Sequence, residues 1–133
     1  MIRLNYKKEG NEVKIEKILE KIKEHPHSHR IGMIASHLGV VRGHSLDGRD
    51  VIGIEVVYDL DSIENIIKYI KKLPGIVEVM VKVNQGVLDV GDEILFVAVG
   101  GDIRENVFPA LIKAVDMIKK DASRKREIFR NVS

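Results

Sequence analysis

The sequence predicts an α+β domain, a mainly antiparallel sheet with three helices. Two observations carry this. Three stretches repeat apolar residues at helical spacing, and four apolar runs of strand length are joined in pairs by short turns rich in Gly, Asp and Asn. The expected order is helix, strand, strand, helix, strand, strand, helix, within one domain spanning 1–133.

Residues 1–12 alternate weakly and read as a short edge strand. Over residues 13–24, Ile15, Ile18, Leu19 and Ile22 follow the i, i+3, i+4, i+7 rule, and Pro26 closes that helix. His25, His27 and His29 follow, spaced by two. Without cysteine or an acidic cluster nearby they read as a polar loop rather than a metal tract. Ile31 to Val41 reads as a buried strand. Asp47-Gly48 is the tightest point of the next turn, and Val51 to Tyr58 is a second strand with Ile52, Ile54, Val56 and Tyr58 on one face.

Asp61-Ser-Ile-Glu64 approximates a capping box, and Ile63, Ile66, Ile67 and Ile70 make the second amphipathic helix. Ile76 to Val83 alternates, with Val77, Val79, Val81 and Val83 on one face, and predicts a half-buried strand. Asn84-Gln-Gly86 and Asp89-Val-Gly-Asp92 are turns, and Glu93 to Val99 is a strand apolar on both faces. Phe108, Leu111, Ile112, Val115 and Ile118 mark the last helix. Pro109 is tolerated in a first turn, so that helix is expected to start near an Asn106 cap. After Asp121 the chain is strongly basic.

The chain has 133 residues, 44% hydrophobic and 32% charged, with a formal net charge of +2. That charge gives no reason to expect nucleic acid, and no apolar run approaches a membrane span. The absence of cysteine removes disulfides and thiolate chemistry and fits a reducing compartment, so a cytoplasmic location is expected.

The stretch from Gly86 to Phe108 draws attention. An apolar strand empties through Gly100-Gly101 towards a helix start, an arrangement that suits an anion because backbone N–H groups and the positive end of the helix dipole meet there. Arg104 lies in that segment. Arg42 follows the first strand, Lys119 lies near the last helix's end, and Lys125 lies beyond it. Such a set could bind a phosphate and supply acid–base groups. No phosphate loop, dinucleotide fingerprint or metal motif of known spacing is present.

These residues carry a resemblance. Gly39-Val-Val-Arg42-Gly-His44 looks like the Gly-x-Val-Arg-x-His segment of the molybdopterin synthase catalytic (large) subunit family. Gly86-Val-Leu-Asp-Val-Gly-Asp-Glu93 resembles that family's Gly-x-Leu turn. Arg104, Phe108, Asp116 and Lys119 fall at its spacing of Arg, Phe, Asp and Lys. Lys125-Arg-Glu127 is similar to its Lys-x-Glu ending once one residue is deleted upstream. The resemblance covers about Gly32 to Glu127.

The resemblance implies an α/β hammerhead fold and a sulfurtransferase. Sulfur would pass from the thiocarboxylated Gly-Gly tail of a small ubiquitin-like sulfur-carrier subunit to a cyclic pyranopterin monophosphate, in molybdenum cofactor biosynthesis. It implies Lys119 and Lys125 as catalytic residues, Arg42, Arg104 and His44 as substrate-binding residues, and no cofactor. It also implies a homodimer carrying two small subunits, a heterotetramer, with active sites that draw residues across the dimer interface. Several family positions differ. His37 replaces an aromatic, Val83-Asn84 replaces His-Arg, Ile103 replaces a histidine, and Ala122-Ser-Arg-Lys125 replaces Pro-x-Trp-Lys. The alternative these changes support is a non-catalytic paralogue that binds a ligand or partner.

Overall fold

The computed structural model describes residues 14–131, so the weak strand expected over 1–12 lies outside the described residues. In chain order the elements are α1 (Ile15–Lys23), a single 3₁₀ turn (Ser28–Arg30), β1 (Met33–Val40), β2 (Val51–Tyr58), α2 (Leu60–Lys71), β3 (Ile76–Val83), β4 (Gly86–Asp89), β5 (Glu93–Gly101), α3 (Arg104–Asp121) and β6 (Ser123–Phe129). The strands form two antiparallel three-stranded sheets, ordered β1-β5-β3 and β4-β2-β6. The α+β class, the three helices and the four long strands agree with the sequence pattern.

The first sheet is covered on both faces, which explains why central β5 is apolar throughout. On one face α2 and α3 pack through Ile63, Ile66, Ile67, Ile70, Val107, Ala114 and Ile118 onto Val79, Val81, Val97 and Val99. On the other, α1 inserts Ile18 and Ile22 against Met80, Phe96 and Ala98. Met80 is therefore buried, and β3 is less one-sided than its alternation predicts.

Other departures have local causes. Ile52 is 47% exposed rather than sharing the face of Ile54, Val56 and Tyr58. The β2–β6 register slips between Val51 and Gly53, so Ile52 is the extra residue of a bulge. Helix α2 is capped by Asp59, whose carboxylate accepts from the Ser62 N–H, and Asp61 lies inside the first turn. On α3 the buried stripe is Val107, Ala110, Leu111, Ala114, Val115 and Ile118, while Phe108 and Ile112 are 48% and 62% exposed. Small Ala110 and Ala114 bring the helix close to the sheet and turn the two larger residues outward. The short strand β4 and the whole of β6 were not expected from the sequence pattern.

The predicted turns form as the sequence suggests. Gly91 has φ +92°, a conformation that glycine adopts without steric cost. The Asp89–Asp92 turn it makes is closed by the Asp92 N–H to the Asp89 carbonyl.

Candidate functional site

A cavity of about 480 Å³ lies where the second sheet meets the first beneath the C-terminal end of α3. Five groups of residues build it. β1 and the segment after it give His37, Gly39, Val40, Val41 and Arg42. β2 gives Ile54, Val56 and Tyr58, β5 gives Ile94 and Leu95, and α3 gives Lys119. β6 gives Ser123, Lys125 and Glu127. Within the β2–β6 ladder, Ile54 pairs with Glu127, Val56 with Lys125 and Tyr58 with Ser123. Each of these pairs contributes both partners to the wall, because residues opposite each other in a ladder point to the same face.

Three of the five site residues drawn from the sequence meet here. Arg42, Lys119 and Lys125 arrive from three separate elements, and the only carboxylate among the lining residues is Glu127. The strand end that carries Arg42 is held by Val41, which donates to the Asp92 carbonyl and accepts from the Gly91 N–H, both at 2.9 Å. The Gly86-to-Glu93 segment thus positions Arg42. Lys119 sits in the last turn of α3, where the negative end of the helix dipole favours its charge. The Ser123 hydroxyl donates to the Lys119 carbonyl at 2.9 Å and ties the helix end to β6.

His44 is not part of the cavity wall. Its contribution is a backbone one: its carbonyl accepts from Arg42 Nε at 2.8 Å, and its strand-like bridge to Asp50 steadies the loop. Four groups in the wall, His37, Tyr58, Ser123 and Glu127, were not drawn as site residues from the sequence. Burial raises the Tyr58 phenol above its ordinary range, so it is a neutral hydroxyl at physiological pH. Burial, and then the charge of Lys119, lower His37 below the ordinary imidazole range. Its Nε2 is buried with no hydrogen-bond partner.

Arg104 lies elsewhere. It borders a shallow depression with Gly32, Met33, Asp102, Ile103 and Glu105, at the opposite end of β1 from Arg42. Met33 and Val40 are separated by roughly 23 Å of extended strand. Nor is Arg104 in a loop, because α3 begins at that residue and Pro109 lies in the second turn. The expected cap at Asn106 does not form: Ile103 holds the N-cap position without a side-chain cap bond, and the preceding Asp102 Oδ1 accepts from the Ile103 N–H at 2.7 Å and from Asn106 Nδ2 at 2.9 Å.

The chain's own Asp102 carboxylate therefore lies beside this helix mouth. These hydrogen bonds, that of Asn106 foremost, hold the Asp102 carboxyl below its usual range. The glycine pair serves packing. A Cβ on Gly101 would lie 2.6 Å from the Gly75 carbonyl oxygen and 2.8 Å from Val107 Cγ2, and one on Gly100 would lie 3.0 Å from Ile22 Cγ2.

The replaced family positions are accommodated structurally. Val83 and Asn84 are buried, and Asn84 Nδ2 donates to the Glu93 carbonyl. Ile103 is exposed beside Arg104. In the histidine tract, His25 Nδ1 accepts from the His27 N–H, and its Nε2 lies 3.9 Å from Glu78. Among the described residues no group of three or more His, Cys, Asp or Glu is arranged to hold a metal, and no helix is long and apolar enough to cross a membrane.

Comparison with known proteins gives a consistent family. No curated protein is matched by the sequence. A molybdopterin synthase structure from Staphylococcus aureus is similar at a TM-score of 0.75 and 22% identity, covering 92% of this chain and 89% of that one. A molybdopterin cofactor biosynthesis protein E from Burkholderia multivorans is similar at 0.73 and 24%, covering 97% and 86%. A complex of subunits 1 and 2 of molybdopterin-converting factor from Helicobacter pylori is similar at 0.65 and 15%, covering 90% and 82%. Residues 9–121 match the family described as MoaE protein. The chain is thus a diverged member of the MoaE family, that of the molybdopterin synthase large subunit in molybdenum cofactor biosynthesis.

Proposed function

We propose that this chain catalyses sulfur transfer from the thiocarboxylated C-terminus of a small ubiquitin-like subunit to a cyclic pyranopterin monophosphate, giving molybdopterin. The observation that carries this reading is the convergence of Arg42, Lys119 and Lys125 on one cavity. In the proposed site Arg42 pairs with the substrate phosphate, for which a guanidinium is well suited. Lys119 lies beside the inserted tail and exchanges protons as the carbon–sulfur bond of the thiocarboxylate is broken, and Lys125 assists from the opposite wall.

Arg104 acts from the second copy of a homodimer in this reading. Two features support that. Arg104, Phe108 and Ile112 fall at i, i+4 and i+8 on α3, so the cation heads an exposed apolar stripe suited to protein contact. β1 is an edge strand with Leu38 and Val40 37% and 47% exposed.

Reconstitution tests the proposal. The protein, a thiocarboxylated small subunit and the cyclic precursor are expected to yield the dithiolene product. Lys119→Ala should lower the rate by about 10²–10⁴-fold, the range of a lost proton-transfer group. Absence of product from a precursor active with another synthase overturns the enzymatic reading. It leaves the second one, a ligand- or partner-binding paralogue, which Asn84 favours by turning its amide to a backbone carbonyl where the family has a basic pair.

A further inference from the structure

His37 carries an inference that rests on the phosphate-binding reading above. Among the described residues, its Nε2 is the buried side-chain nitrogen or oxygen without a hydrogen-bond partner. A buried polar atom left unpaired costs free energy, and a ligand that pairs it recovers that cost. His37 lies on the same strand face as Gly39, and both line the cavity. A Cβ at position 39 would lie 3.4 Å from Nε2, so Gly39 borders that nitrogen and sets no side chain against it.

The groups that share the cavity set its charge. Lys119 faces His37 from α3, Arg42 from the segment after β1, and Lys125 and Glu127 from β6, while Tyr58 of β2 is a neutral phenol. β5 contributes only Ile94 and Leu95. Burial first, and then the charge of Lys119, oppose an imidazolium and lower the pKa of His37. An anion entering the cavity reverses that balance. It screens the cations and offers an acceptor to the unpaired nitrogen.

We propose that His37 takes up a proton when a tetrahedral oxyanion fills this cavity and donates a hydrogen bond to it from Nε2, so that the anion and the proton bind together. The proton comes from solvent, and no covalent bond is made or broken. At higher pH the imidazole stays neutral and the anion binds more weakly.

Sulfate is the probe, because its own charge is constant between about pH 5.5 and 8, where a histidine titrates. Calorimetric titration of the full chain in two buffers of different ionisation enthalpy measures proton uptake. Wild type is expected to take up protons on binding sulfate. Its Kd should weaken by up to about tenfold per pH unit as pH rises between the free-state and bound-state pKa values of His37. His37→Gln and His37→Phe should bind sulfate with less uptake and a flatter pH profile, circular dichroism confirming that each folds. Ring chemical shifts should show the His37 pKa rising when sulfate is added to wild type.

Equal uptake in wild type and both variants, or a His37 pKa that does not move, overturns this inference alone. Wild-type protein that binds no sulfate overturns the inference and the phosphate-binding reading together.

Discussion

Lys119→Ala and Arg104→Ala remove cations that sit near opposite ends of β1. Lys119 shares its cavity with Arg42 after Val40, and Arg104 borders Met33 at the start of β1. The strand between them spans roughly 23 Å, several times the reach of an arginine side chain. One chain therefore cannot bring both to one ligand. In a two-fold dimer each site would take Arg42, Lys119 and Lys125 from one copy and Arg104 from the other. Arg104→Ala alone should lower kcat/KM by about 10–150-fold, the equivalent of a charge-assisted hydrogen bond of about 1.5–3 kcal/mol. Lys119→Ala alone should be more severe. Coexpressing the two variants with different affinity tags gives a sharper result. Random assortment makes half the dimers mixed, and each mixed dimer has one site with both cations and one with neither. The mixture should then regain about a quarter of wild-type activity. Product formation by the coexpressed mixture, normalised to wild type, is the measurement, and the purified mixed dimer should reach about half of wild-type activity. A mixture no more active than the average of its two components refutes the shared site, and an Arg104→Ala protein as active as wild type refutes a role for Arg104 at all.

Three further predictions concern the scaffold. Ile22→Ala removes a fully buried side chain from the small cluster that holds α1, and should cost about 2–5 kcal/mol. Hydrogen exchange should show α1 amides losing protection before those of β5, whereas equal loss in both would mean one cooperative unit. Gly101→Ala places a methyl group against the Gly75 carbonyl and Val107, and should destabilise by about 1–3 kcal/mol or more in a denaturant melt. An unchanged midpoint would contradict the packing role of the glycine pair. Asp102 and Asp59, both held below the usual carboxylate range by hydrogen bonds, contribute stability that is present above that range and lost as pH falls through their folded-state pKa values. Asp102→Asn keeps an acceptor oxygen and should weaken the acid dependence of thermal stability, and an identical pH profile would rule out its part in it.

Much of the fold was legible because its burial is periodic. The helices and β5 show their apolar faces directly, and Ile63, Ile66, Ile67 and Ile70 are buried as their spacing predicts. β6 was hidden for a physical reason. Its inward residues, Ser123, Lys125 and Glu127, face a polar cavity, and Arg124 and Arg126 are exposed, so the strand lacks the apolar half of an alternating pattern. At the helix mouth a Gly-Gly strand end looks alike in sequence whether a ligand or a side chain lies beside it. The Asp102–Asn106 contact there depends on where α3 begins. Among the candidate site residues, Arg42 and Lys119 come together through the packing of α3 over β1. The separation of Arg104 follows from strand length and direction, which spacing along the chain does not reveal.

In the proposed site, the β2–β6 ladder makes proton chemistry depend on alignment. Around Lys125 the chain is cationic three times in succession, Arg124-Lys125-Arg126, and only the register with Val56 turns the lysine inward. A slip of one residue would bring Arg124 and Arg126 to the cavity in its place. The positive field would survive, so an anion would still be held. A guanidinium does not release its proton at physiological pH, whereas an amine can be tuned to do so. A misaligned molecule would thus pass an anion-binding assay and fail a turnover assay. In the proposed function, correct pairing of this strand is what separates a receptor from a catalyst.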